Sequence, residues 1–141
     1  MNKSMKDLTI PVKETEESGV YPLVKVRLVA GKAFFGPGTQ QLMELIEQTG
    51  SLQDACLSMK LSYSKGSRMI KDAERKLGFS ITERWAGGAG GGGSRLTEEG
   101  RQFLKNYRNM ASEVQEYTEQ IYKKYFGSEC MKSTENEEGE E

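Results

Sequence analysis

Histidine is absent from the 141-residue sequence, and this absence excludes most of the common catalytic sites. Without an imidazole, the chain cannot build a Ser-His-Asp or Cys-His nucleophilic site, and nearly all zinc hydrolase sites are excluded as well. We therefore expect no catalytic residue, and the sequence predicts a protein that is not an enzyme.

Cysteine and long apolar runs are scarce as well. The two cysteines, Cys56 and Cys130, lie far apart without a CxxC spacing, so the sequence indicates neither a disulfide framework nor a metal site. Cys56 is expected to be a small buried apolar residue. No segment approaches the roughly 18 apolar residues that a membrane span requires, and the N-terminus lacks the apolar core of a signal peptide. We expect a cytoplasmic protein without a membrane segment, metal or cofactor.

The formal net charge of -1 conceals an asymmetry along the chain. Residues 60–108 contain 11 basic and five acidic residues, a net charge of +6. Residues 128–141 contain six glutamates and one lysine, a net charge of -5. The sequence therefore predicts a basic middle region and an acidic tail.

The N-terminal part of the chain predicts a flexible arm followed by a strand. Residues 1–20 are polar, mixed in charge and without periodicity, which favours an arm. Val24, Val26 and Leu28 then alternate with charged residues, which is the period-two pattern of a strand with one solvent-exposed face. The stretch FFGPG at 34–38 is expected to end this strand.

Three helices are predicted next. The first covers about 38–50, and the second is short, with Ser51 as its N-cap and its end near Met59. A third helix begins at Ser62, another N-cap, and is closed by Gly78. Two helices joined by about four residues, after another helix, form the helix-turn-helix arrangement.

The third predicted helix has one apolar and one cationic face. At 100° per residue, four small or apolar residues cluster on one side, which we expect to be buried: Gly66, Ile70, Ala73 and Leu77. Polar and cationic residues occupy the opposite side: Ser64, Lys65, Ser67, Arg68, Lys71 and Arg75. On charge alone, a solvated helix surface explains this face equally well. Small residues in the first turn and the capped helix before it favour a recognition helix, whose N-terminal half meets base edges.

A β-hairpin with a glycine-rich tip is predicted over about 79–97, because FSITERW and SRLT alternate and are rich in β-formers. Arg84 and Arg95 flank the tip and are expected to point toward a polyanion. A plain linker is an alternative for the glycine run, whereas a dinucleotide fingerprint is disfavoured because no helix opens directly after it. The glycines assigned to this wing are Gly87, Gly88, Gly90, Gly91, Gly92 and Gly93.

A long helix is predicted over 97–126, with Thr97 as its N-cap. Apolar residues recur in it at spacings of three and four, the pattern of a heptad seam: Phe103, Tyr107, Met110, Val114, Tyr117 and Ile121. About 29 residues at 1.5 Å each give roughly 43 Å, longer than a domain of this size can cover. We therefore predict a homodimer through this helix, with a seam folded back on the protein's own first strand and helix as the alternative. Residues 127–141 are predicted to be a disordered acidic tail.

Two segments resemble a known family: LSYSKGSRMIKDAERKLG at 61–78 and ERWAGGAGGGGSRLTEEGRQFLKNY at 83–107. They are similar to the N-terminal DNA-binding domain of ModE-type regulators, the molybdate-responsive transcriptional regulators of bacteria, which is itself similar to the winged helix of LysR-type regulators. The resemblance covers about 25–122. It implies a homodimeric winged-helix protein, with the helix from Ser62 in the major groove and the glycine hairpin as the wing. The chain departs from the family at 66–68, where Gly-Ser-Arg replaces a small residue followed by Trp, so the resemblance does not carry over the family's target sequence.

Full-length members of this family also carry C-terminal domains that bind molybdate or tungstate. The residues after Phe126 are too few and too acidic to form such a domain, so no molybdate site is expected in this sequence and the effector stays open. A sensorless module that heterodimerises with a full-length regulator is therefore the alternative function.

The predicted fold is mainly α with a small β component: a winged helix-turn-helix at 21–96 and a dimerisation helix at 97–126. The predicted function is transcriptional regulation, with double-stranded DNA as the partner of a homodimer. The residues expected to contact DNA are Ser62, Tyr63, Ser64, Lys65, Ser67, Arg68, Lys71, Arg75, Arg84 and Arg95.

Overall fold

The computed structural model describes residues 19–87 and 92–127, so most of the predicted arm at 1–20 and tail at 127–141 lies outside the described residues. The described residues form two antiparallel hairpins and four helices: β1 (Leu28–Ala30), β2 (Lys32–Phe35), α1 (Pro37–Thr49), α2 (Leu52–Ser58), α3 (Tyr63–Leu77), β3 (Thr82–Trp85), β4 (Gly93–Leu96) and α4 (Glu98–Phe126). This is the predicted winged helix-turn-helix, mainly α with a small β component, followed by a long helix.

The helix boundaries agree with the predicted caps. The hydroxyls of Ser51, Ser62 and Thr97 each accept a hydrogen bond from the backbone N–H three residues further on, at 3.1, 3.0 and 2.9 Å. Gly50 and Gly78 end α1 and α3 with φ of 74° and 86°, a left-handed conformation that glycine adopts without steric cost. These five residues set the end of α1, the starts of α2 and α4, and both ends of α3, the predicted recognition helix.

The first strand was predicted in the wrong place. Val24 and Val26 lie before β1, and only Leu28 belongs to it. The stretch FFGPG does not end this first strand, since β1 ends at Ala30. It contains the end of β2 instead, because Phe34 and Phe35 are the last residues of β2, which pairs with β1 through a turn at Gly31. The φ of Gly31 is +82°, which explains a glycine there.

Residues 21–27 belong to no strand, and side chains of α4 bond part of their backbone. The Gln115 amide accepts from the Val24 N–H at 2.9 Å and donates to the Pro22 carbonyl at 2.8 Å. The Tyr107 hydroxyl donates to the Val26 carbonyl at 2.5 Å. Exposed and half-buried residues still alternate along this segment, as the predicted period of two requires. The half-buried side is not produced by pairing with another strand.

The core lies between the three short helices, the base of the second hairpin and the first half of α4. Aromatic rings connect β2 to α4, since the Phe35 ring centroid lies 4.8 Å from the rings of both Phe103 and Tyr107. The fully buried residues include Leu42, Met43, Ile46, Cys56, Ile81 and Leu96. Among the described helices, none has the length and apolar character needed to cross a membrane.

Candidate nucleic-acid interface

The orientation of α3 is set by the close packing of its inner face on α2. Gly66, Ile70 and Ala73 are buried, and Leu77 is half-buried, as the periodicity predicts. A Cβ added at Gly66 would collide with the Cys56 thiol, so a side chain larger than hydrogen does not fit there. Cys56 is 1% exposed, and its burial raises the pKa of the thiol, which keeps it protonated. Its expected role as a small buried residue is confirmed.

The opposite face of α3 is open to solvent. Ser64, Lys65, Arg68, Lys71 and Arg75 are exposed, and Ser67 is half-buried at the edge of the face. The helix starts at Tyr63, which is 46% exposed, so the first two turns present hydroxyl groups and cations together. This is the arrangement that major-groove recognition requires of a helix.

The cations of this face differ in their partners. The Arg75 guanidinium pairs with the Asp72 carboxylate one turn before it. Lys65, Arg68 and Lys71 form no ion pair with any residue that the structure describes. The cationic potential of the face is therefore concentrated in its first half, at 65–71.

The second hairpin does not present its two arginines symmetrically. Arg95 lies opposite Glu83 in the β3–β4 register, and its guanidinium binds the Glu83 carboxylate at 2.9 Å. Arg84 lies opposite Ser94 and therefore on the other face, because successive side chains of a strand alternate. Its guanidinium reaches to 3.5 Å from the Tyr63 hydroxyl at the start of α3. The two arginines therefore lie on opposite faces of the hairpin, because successive positions of the paired strands alternate, and only Arg95 is bound to a cross-strand acid.

The base of this wing is attached to the turn between α1 and α2. The Ser94 N–H donates to the Gly50 carbonyl at 2.9 Å, and the Leu96 N–H donates to the Glu47 carboxylate at 3.1 Å. Gly93 lies so close to the Gly50 carbonyl and the Trp85 ring that a Cβ would collide with both. The predicted tip residues Gly88, Gly90 and Gly91 lie outside the described residues, whereas Gly87, Gly92 and Gly93 belong to the described base.

A solvent-exposed cleft, here called the junction cleft, lies between the base of the wing and the starts of α2 and α3. Its lining consists of residues 51–53, Tyr63, Arg84, Trp85 and residues 92–94. Two of these lining residues, Tyr63 and Arg84, were predicted to contact DNA, whereas Trp85, Ser51, Gln53 and Ser94 were not among the candidates. A tryptophan directly after an arginine and before a glycine run was the available signal for Trp85.

The predicted seam of α4 divides between two faces of the helix. Tyr107 is 3% exposed and Phe103 is partly buried, and both pack in the protein's own core. The other four seam residues are 37–64% exposed: Met110, Val114, Tyr117 and Ile121. The intramolecular alternative thus holds for the first part of the seam, because the segment at 22–26 and β2 cover it, and an uncovered apolar stripe remains at 110–121.

One buried acid lies far from the cationic face, between α1 and α4. The Glu44 side chain is 11% exposed, and its carboxylate lies 3.3 Å from the Arg108 guanidinium. Burial raises the pKa of Glu44, while a hydrogen bond from the Gln40 amide and the charge of Arg108 act in the opposite direction. We therefore expect the stability of the contact between α1 and α4 to depend on the protonation of Glu44.

Comparison with known proteins finds relatives among transcriptional regulators. No protein-family model matches the chain. It is 35% identical over 75 residues to the molybdenum transport protein ModE of Azotobacter vinelandii, which covers 53% of this chain and 28% of that protein. It is 30% identical over 81 residues to the transcriptional regulator ModE of Yersinia pestis, which covers 57% of this chain and 31% of that protein. The chain thus spans less than a third of the length of either relative.

Two of the solved structures that match part of the chain are DNA-binding domains. The DNA-binding domain of BenM, solved with benA site 1 DNA, has 20% identity and a TM-score of 0.48 over 64% of this chain and 96% of that chain. The DNA-binding domain of CbnR, solved as a DNA complex, has 22% identity and a TM-score of 0.43 over 52% of this chain and 78% of that chain. Over about half of its length, the chain is similar in sequence to ModE regulators, which confirms the resemblance drawn from residues 61–78 and 83–107.

Proposed function

We propose that the protein is a sequence-specific regulator of transcription that binds duplex DNA through the N-terminal half of α3. The observation that carries the proposal is the exposed face at 64–71, where Lys65, Arg68 and Lys71 have no ion-pair partner among the described residues. Cations left unpaired beside exposed hydroxyls suit a polyanion, because they bind it without first losing an internal partner.

Within this proposal, the residues have separate tasks. Ser64, Lys65 and Arg68 contact base edges, since they lie in the first half of the helix, together with Ser62, Tyr63 and Ser67 around them. Lys71 and Arg75 contact phosphates and determine affinity more than sequence preference. Arg84 contacts the backbone beside the start of α3, and Arg95 has a smaller share because it is bound to Glu83.

The names of the two ModE relatives suggest which genes the protein acts on. We infer that the protein acts in a bacterial cytoplasm, without enzymatic activity of its own, on genes connected with molybdate. The described residues include no group of three or more His, Cys, Asp or Glu side chains placed to hold a metal ion, so the signal that controls DNA binding stays open.

The second part of the proposal is a homodimer through the exposed stripe of α4. Four apolar residues one or two turns apart, on a helix of 29 residues, form a surface that a second copy of the same helix matches. Two copies of α3 would then meet two half-sites of one duplex. A heterodimer with a longer regulator uses the same stripe and is the alternative.

Binding to a labelled duplex tests the proposal directly. We expect tight, salt-dependent binding to DNA from the region upstream of its own gene, measured by fluorescence anisotropy, and weaker binding to a scrambled duplex of the same composition. Absence of binding to either duplex at low salt would exclude DNA as the partner. A monomer that binds only after mixing with a full-length relative would support the heterodimer.

A further inference from the structure

The junction cleft has the chemistry of a site for an anion with several acceptor oxygens. The Arg84 guanidinium is exposed and forms no ion pair with a described residue, and none of the residues that line the cleft is acidic. Ser51, Tyr63 and Ser94 line it as well and carry hydroxyl groups. A phosphodiester accepts charge-assisted hydrogen bonds from groups of this kind.

Trp85 gives the cleft an apolar side. Its indole ring lies against Gly93, where a side chain would displace it, and the residue is 38% exposed. The ring is therefore held in place on one side while the rest faces solvent. Strand alternation places the Arg84 and Trp85 side chains on opposite faces of the hairpin, and both residues line the cleft at the end of β3. A flat apolar surface in the same cleft as an arginine suits a deoxyribose near its phosphate, since the sugar presents C–H groups rather than polar atoms.

The location of the cleft suits contact with a DNA strand. It lies beside the first residue of α3, and a helix that enters the major groove by its N-terminal half brings one DNA strand past that end. The wing base that carries Arg84 and Trp85 is bonded to the α1–α2 turn, so the groups of the cleft keep their spacing. Arg84 also reaches the Tyr63 hydroxyl, which connects the cleft to the recognition helix.

We propose that the junction cleft holds the sugar-phosphate backbone of bound duplex DNA, with Arg84 donating to a phosphate and the Trp85 ring packed on the neighbouring deoxyribose. This inference rests on the proposed function and deepens it: the backbone contact already assigned to Arg84 gains a defined site and a second contact residue, Trp85, both separate from the face at 64–71. The contact is independent of sequence, because it reaches no base edge.

Tryptophan fluorescence tests this contact without any substitution, because Trp85 is the single tryptophan of the chain. The natural protein is titrated with a labelled duplex of about 30 base pairs, enough for two half-sites one turn apart. The anisotropy of the DNA and the emission of Trp85 are recorded in the same titration. We expect both signals to change with one midpoint, and acrylamide quenching of Trp85 to fall by about half in the complex because the ring is covered.

The two hypotheses fail in different ways in this titration. Anisotropy that saturates while Trp85 emission and quenching stay constant overturns the cleft contact and leaves DNA binding in place. An anisotropy that does not change overturns both.

Two variants and a matched control test the residues themselves. Arg84→Gln is expected to weaken binding about tenfold on every duplex and to lower the slope of log K against log salt by about one unit, as the loss of one phosphate contact requires. Trp85→Leu is expected to weaken binding several-fold with the salt slope unchanged, because no charge is lost. Lys32→Gln removes one positive charge from an exposed position of β2, outside the cleft and outside the proposed DNA contacts, and is expected to change affinity less than twofold. Equal losses for Arg84→Gln and Lys32→Gln, with melting temperatures unchanged, would overturn the assignment of Arg84 to the cleft.

Discussion

Gly66 of α3 lies directly against the Cys56 thiol of α2, with no space between them for a methyl group. This contact sets how closely α2 and α3 approach, and thereby how the cationic face of α3 is oriented relative to the core. Gly66→Ala is expected to destabilise the protein by about 1–3 kcal/mol, the usual cost of overpacking in a core. Urea unfolding measures this free energy.

A control and a double variant separate overpacking from other effects of the substitution. Gly38→Ala adds the same methyl group in α1, where only the end of Met69 lies 3.8 Å away, so its effect is expected within about 0.5 kcal/mol of zero. Cys56→Ala together with Gly66→Ala leaves room for the new methyl group, so the double variant is expected to lose less stability than the two single losses combined. Additive losses would show that the thiol is not what excludes a side chain.

The salt dependence of DNA binding is expected to follow the ion pairs of α3. Lys71→Ala should lower the salt slope by about one unit and weaken binding equally on all duplexes, as the loss of a phosphate contact does. Asp72→Asn releases Arg75 from its partner and should strengthen binding to all duplexes. Lys123→Ala, near the far end of α4, is the charge-matched control and should change neither quantity. A Lys71→Ala, Arg75→Ala double variant that binds like the natural protein at every salt concentration would exclude this face.

Arg68 is expected to carry sequence preference rather than general affinity. It is exposed in the second turn of α3 and is unpaired among the described residues, so its guanidinium is available to a guanine edge in the major groove. Arg68→Ala should reduce the preference for the specific duplex by about 1–3 kcal/mol while binding to scrambled DNA falls much less. Competition anisotropy with both duplexes measures the ratio. An equal loss on both would make Arg68 a phosphate contact.

The position and the inner face of α3 were predictable because their signals are local. Ser62, Gly66 and Gly78 specify the start, the inner face and the end of α3 through hydroxyl chemistry, size and backbone conformation, and each needs only its near neighbours to be interpreted.

Pairings between distant residues were not predictable. The period of two at 21–27 is correct, but whether a strand or the Gln115 amide bonds that backbone depends on a residue some 90 positions away. Which residues of the α4 seam are buried also depends on distant parts of the chain. Tyr107 and Val114 occupy equivalent positions of a heptad pattern, but only Tyr107 is covered by β2 and the segment at 22–26. Glu83 and Arg95 are 12 residues apart and meet only through the hairpin register.

The exposed stripe of α4 is expected to form the dimer interface. Ile121→Glu places a charge in the C-terminal part of the apolar stripe and should convert a dimer into a monomer without changing the melting temperature of the monomer fold. Ser112→Glu introduces the same charge on an exposed position of the opposite side of α4 and should remain dimeric. Light scattering at micromolar concentration distinguishes the two states. A natural protein that is monomeric under these conditions would contradict the homodimer.

Glu44 is expected to make stability depend on pH. Its pKa is raised above the ordinary value of 4.5 in the folded protein because burial disfavours the carboxylate. Below that value the carboxyl is protonated in both states. Above it, the unfolded chain releases the proton first, so the folded state binds more protons and its free energy of unfolding falls as pH rises, until the folded pKa is passed. Glu44→Gln cannot titrate and should lose this part of the dependence.

The expected result is therefore a variant that gains stability relative to the natural protein as pH increases. Urea unfolding at about pH 4 and about pH 7 measures the free energy of unfolding of the variant and of the natural protein. The variant's value relative to the natural protein's should be higher at pH 7 than at pH 4. Glu113→Gln, at an exposed position of α4, is the control for removing one negative charge and should show no such trend. A difference of the opposite sign would mean that the Arg108 ion pair outweighs burial, because a lowered pKa stabilises the folded state as pH rises.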